Sequence, residues 1–121
     1  MLTLLVDDDP FFIAIIRRYL HLGGHSVETV SDIASASQRL KEGGFHTVIV
    51  SSSLKDGTRF WEQQHRYYPT VAFMLATFSR ASDDRLYLPM PLSLDRVLSA
   101  MERAEHWRCG QRAELEAQPA R

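Results

Sequence analysis

Thr47-Val48-Ile49-Val50 is a short run of β-branched residues without polar alternation, the pattern of a parallel strand covered on both faces. A parallel partner needs a crossover connection, so such a strand implies helices before and after it. The sequence supplies that alternation. Leu2 to Val6 reads as a buried first strand running into Asp7-Asp8-Asp9. Asp9-Pro10 then offers an N-cap and a proline at the first helical position. Phe12, Ile15, Ile16, Tyr19 and Leu20 recur at helical spacing until Gly23-Gly24 stops the run. A second strand through His25 to Val30 meets a Ser31-Asp32 cap, and the helix carrying Ile33, Ala36 and Leu40 ends at Gly43-Gly44.

Beyond the third strand lie the loop Ser51 to Gly57, a helix with Phe60, Trp61 and Gln64, and a break at Tyr68-Pro69. Val71 to Leu75 predicts a fourth strand. Thr77 to Arg85 is polar and irregular, and Leu86-Tyr87-Leu88 predicts a short fifth strand closed by Pro89-Met90-Pro91. Ser93 can cap a last helix whose stripe is Leu94, Val97, Leu98, Met101 and Ala104, with a tail expected to fray from about Gln111. Strands alternating with helices in this way predict a doubly wound, five-stranded parallel sheet with right-handed crossovers.

The chain has 121 residues, 45% of them hydrophobic, which suits one domain with one sizeable core. With 14 Lys and Arg against 15 Asp and Glu, the net charge of -1 gives no reason to expect binding to nucleic acid or an acidic membrane. A protein is the expected partner. Cys109 is the only cysteine, so an internal disulfide is impossible and the cytoplasm is the expected compartment. The apolar start meets Asp7 too soon for a signal peptide or a membrane span.

Landmarks from Leu2 to Ala104 resemble, in order, the receiver domain of two-component response regulators. Val6-Asp7-Asp8-Asp9-Pro10 is similar to the acidic pair closing that family's first strand, and Gly24-His25-Ser26-Val27 to the turn into its second. Phe45 to Val50 with Asp56-Gly57 resembles the third strand and its loop, and Leu88-Pro89-Met90-Pro91-Leu92-Ser93-Leu94 the fifth strand and the last helix cap. The resemblance implies a flavodoxin-like fold over residues 1–105, with 106–121 a C-terminal helix extension or flexible tail. It implies Asp7 and Asp8 as Mg²⁺ ligands. It also puts Ser51 where the family carries its phospho-accepting aspartate, and Met90 where it carries a lysine. At the family's hydroxyl position, Leu75 and Ala76 take the likely sites, with Thr77 nearby.

Phosphoryl transfer needs a carboxylate in line, a divalent cation on the equatorial oxygens and a cation for the product. Ser51 and Met90 supply none of these. No catalytic residue, required cofactor or enzyme activity is therefore expected, and at most weak Mg²⁺ binding. Residues 77–85 are also too few for the family's fourth helix with its loops, so that helix should be short or missing.

Several residues have a plainer reading. Asp9 serves as a helix cap, and the Ser51-Ser52-Ser53 run as turn chemistry. Mutual repulsion among Asp7, Asp8 and Asp9 should raise one carboxyl pKa. Asp56 lies too far along the loop to replace position 51 unless the loop folds back. His21, His25, His46, His65 and His106 show no metal spacing with Cys109 and read as surface histidines, whereas Phe11, Phe12, Trp61, Tyr67 and Tyr68 read as core or helix-covering aromatics.

Three functions follow as expectations. The first is a phosphorylation-independent signalling or protein-interaction module of a phosphorelay. The second is a working receiver phosphorylated at an unusual acceptor. The third is a flavodoxin-like ligand binder, which the acidic turn disfavours because it would repel a flavin phosphate. With the fourth helix lost, Leu86, Leu88, Leu92 and Met101 are expected to form an uncovered interaction patch suited to a homodimer. The competing expectation is that Tyr87 fills the gap and the chain stays monomeric.

Overall fold

The computed structural model describes residues 1–79 and 85–117. Its elements alternate as the sequence requires: β1 (Leu2–Val6), α1 (Pro10–Leu22), β2 (Ser26–Val30), α2 (Ile33–Glu42), β3 (Thr47–Ser51), α3 (Gly57–Gln64), β4 (Ala72–Thr77), β5 (Leu86–Pro89) and α4 (Leu94–Ala117). The strands form one parallel sheet in the order β2-β1-β3-β4-β5. Strand order reverses between β1 and β3, so their carboxyl ends flank the crevice where open α/β sheets place ligands.

Alternate side chains of each central strand enter different cores, which is why Val48, Ile49 and Val50 of β3 are all apolar. Val48 and Val50 join Leu4, Val6, Phe73 and Leu75 under α2 and α3, where Ala36, Leu40, Phe60 and Trp61 meet them. Ile49 joins Leu5, Met74 and Leu88 on the other face, under Phe12 and Ile16 of α1 and Val97 and Met101 of α4. The helix caps form as read: Asp9 Oδ1 accepts from Phe11 N at 3.0 Å, and Asp32 Oδ1 from Ser35 N at 2.7 Å.

Four helices occupy the described residues, with none between β4 and β5; residues 80–84 of the segment expected to form a stub or loop lie outside the description. Three expectations are corrected. Leu88 and Met101 are not surface residues, because β5 and α4 pack together and bury both inside the core; Leu86 and Leu92 keep only partial exposure against the same cluster. Tyr87 is buried beside Trp61, with ring centroids 5.2 Å apart, and the Arg85 guanidinium covers Trp61 at 3.9 Å. The helix does not fray from Gln111 either. It continues to Ala117, because Trp107 packs on the core and Arg108 Nε donates to Thr70 O at 3.0 Å. Finally, Phe11 and Tyr67 stand exposed while Phe12 and Trp61 are buried.

Candidate functional site

The carboxyl ends of β1, β3, β4 and β5 surround a hollow of about 200 Å³, lined on its polar side by Asp7, Asp9 and Ser51 to Ser53 and on its apolar side by Phe12, Ala76, Phe78 and Met90. Strand register builds it. Ser51 pairs with Ala76 across β3 and β4, and Met90 N, just past β5, donates to Thr77 O at 3.0 Å. The Met90-Pro91 peptide bond is cis. Both positions singled out in the sequence, Ser51 and Met90, therefore meet in one site, with Ala76 where a hydroxyl was sought.

Asp7 directly follows β1 and is almost fully buried. Its Oδ1 accepts from Asp8 N at 2.8 Å. Burial raises its pKa above the ordinary 3.8, and repulsion from Asp8 and Asp9 adds less. The expectation of one raised carboxyl is met, with desolvation rather than repulsion as the main cause. Asp8 is exposed and does not line the hollow; Asp9 does, although its carboxylate is engaged in capping α1. Of the three consecutive aspartates, Asp7 and Asp9 line the hollow and Asp8 does not. Sequence order alone could not separate them, because the entry angle of α1 decides which side chain turns inward.

Ser51 is buried, and its hydroxyl is shared with Ser53: the two Oγ atoms lie 2.8 Å apart and Ser53 N approaches Ser51 Oγ at 3.2 Å. This is the turn chemistry expected of the serine run. The loop then folds back on the strand. Leu54 N donates to Ser51 O at 3.2 Å and Gly57 N to Leu54 O at 2.9 Å. The fold-back brings Gly57, not Asp56, against position 51: a Cβ on Gly57 would sit 2.3 Å from Ser51 O. Asp56 takes the left-handed region at φ 62°, is exposed and is not part of the lining.

No carboxylate stands at the end of β3, one lining carboxylate is shifted toward its neutral form and the other caps a helix. That donor set does not fit a resident Mg²⁺, which favours ionised carboxylates in near-octahedral array. Among the described residues, no group of three or more His, Cys, Asp or Glu is placed to hold a metal ion. Phe12 and Phe78 were not foreseen as site residues. Phe12 carried only a core signal, and Phe78 sits in the polar segment after β4.

No protein-family model and no curated protein matches the chain. Solved structures do. The signal receiver domain of an HD domain-containing protein from Pseudomonas fluorescens Pf-5 is 22% identical, with a TM-score of 0.79 over 97% of this chain and 93% of that one. A response regulator receiver domain protein (CheY-like) from Methanospirillum hungatei JF-1 is 19% identical, with a TM-score of 0.75 over 90% of this chain and 97% of that one. The beryllofluoride-activated NtrC4 receiver domain dimer is 21% identical, with a TM-score of 0.72 over 88% of this chain and 98% of that one. Identities this low speak to architecture. The chain has the flavodoxin-like, CheY-like fold of response regulator receiver domains.

Proposed function

We propose that this chain is a receiver-fold signalling module that acts through protein contacts without accepting a phosphoryl group, and that it is not an enzyme. One observation carries the reading. The carboxyl end of β3 presents the Ser51 hydroxyl, held by Ser53, where acyl-phosphate chemistry needs a carboxylate. Met90 across the hollow adds no charge. Asp56, the nearest substitute acceptor in the sequence, lies outside the lining, which weakens the reading as an unusual working receiver. A buried carboxylate beside the hollow likewise opposes a phosphate-bearing flavin.

The partner is a protein, with a second copy of the chain included, as in the dimer described for the NtrC4 receiver domain. Exposed Phe11 and Ile15, one turn apart on α1, and Phe78 beside the hollow supply apolar contact surface. No described helix is long and apolar enough to cross a membrane. The test is intact-mass spectrometry after incubation with acetyl phosphate and Mg²⁺. An unmodified mass supports the proposal, and a stoichiometric phosphoryl adduct overturns it.

A further inference from the structure

The opposite end of the sheet holds a cluster that the site does not use. Leu2 N donates to His46 Nδ1 at 2.9 Å, while His46 N donates to Leu2 O at 2.9 Å and Ala72 N to His46 O at 3.0 Å. His46 therefore joins the starts of β1, β3 and β4. Because Nδ1 is the acceptor, the ring must be unprotonated there for the contact to exist. The carboxyl-terminal half of α4 lies across the same end, where Arg108 Nε reaches Thr70 O at 3.0 Å and Arg108 Nη1 lies 3.8 Å from Met1 Sδ.

The described charged groups acting on His46 are all cations: Arg108 and Arg112 from α4 and the Met1 ammonium just before β1. With burial as the largest cause, they hold its pKa below the ordinary 6.5. His25, whose Nδ1 is 3.0 Å from the Met1 ammonium, differs because Glu105 of α4 offsets the neighbouring positive charge. His46 has no such compensation among the described groups. A proton on its Nδ1 would set two donors face to face at Leu2 and add a cation beside two arginines.

We propose that this end of the molecule is an acid-released latch, in which protonation of His46 undocks the carboxyl-terminal half of α4 from the amino ends of β1 and β4. The docked state belongs to neutral pH, where His46 accepts from Leu2 and Arg108 holds Thr70. Acid favours the undocked state because His46 binds a proton more readily once Arg108 and Arg112 have moved away. The device works whether or not the hollow at the other end takes a ligand.

Hydrogen exchange of the intact chain, followed by mass spectrometry and corrected for chemical exchange, reads this motion. Between about pH 7.5 and about pH 5.5, exchange in the peptide covering residues 106–117 should rise roughly tenfold while α3 stays unchanged. His46→Asn keeps an acceptor oxygen near the Nδ1 position but does not titrate, and should abolish the rise. Should that variant fail to fold, Arg112→Gln on the exposed helix surface removes one repelling charge and should shrink the rise. An acid-insensitive wild type, an undiminished rise in His46→Asn, or in its stead an undiminished rise in Arg112→Gln, overturns the latch.

Discussion

Asp7 shows how one carboxyl group can be placed in the sequence while its state waits for the fold. Its position at the end of a buried strand was legible, and so was a raised pKa; its near-complete burial was not, because that depends on α1 and the β3 loop closing over it. A raised folded pKa means that ionising Asp7 costs folding free energy. The stability linked to this group is complete below its unfolded value of 3.8 and is lost as pH rises through the folded value. Asp7→Asn, fixed in the neutral form, should therefore be more stable than wild type at neutral pH. Urea melts should show that gain shrinking as the pH falls toward the unfolded value. Ser51 gives the complementary case. Its place was read from landmarks, and it lines the same hollow as Asp7 and Asp9. Ser51→Asp should tighten Mg²⁺ binding about tenfold by adding an ionisable ligand; calorimetry with no change in affinity would show that the three positions do not converge on one ion.

At the scale of elements, apolar runs and glycines made most boundaries readable: Gly43, at φ 80°, ends the helix whose Ala36 and Leu40 face the core. The β3 to α3 loop was harder. A sequence of serines, Asp56 and Gly57 announces a turn without saying which residue returns to the strand. The close approach of Gly57 to Ser51 O answers that, since a side chain there would strike backbone rather than a movable group. Gly57→Ala should cost about 2 kcal/mol through this overlap, measured as a lowered urea midpoint at unchanged m-value. The length of α4 escaped the sequence for a different reason. Its last turns lack an apolar stripe, and docking rests on Trp107 and on Arg108 reaching the backbone of Thr70, contacts with no periodic signature.

For the whole molecule, the parallel five-stranded sheet and its two-sided core followed from the alternation of elements, whereas the exposed apolar surface did not. Covering by α4 moved Leu88 and Met101 inward and left Phe11, 80% exposed on α1, as the more prominent apolar feature. A chain that works through protein contacts should self-associate at micromolar concentration by this surface. In light scattering, Phe11→Glu should return it to a monomer while changing stability by no more than about 0.5 kcal/mol. A dimer that survives the substitution would place the contact on another face. The position of the hollow within the sheet has a further consequence. Asp7 directly follows β1, Ser51 ends β3, and β3 is the middle strand of the five. The middle of a sheet is the region that opens last, so the cavity walls should persist until global unfolding. A small molecule that fits between Asp7 and Met90 would then act on the native state as a whole. It would raise the melting temperature in proportion to the logarithm of its concentration, without altering the cooperativity of the transition.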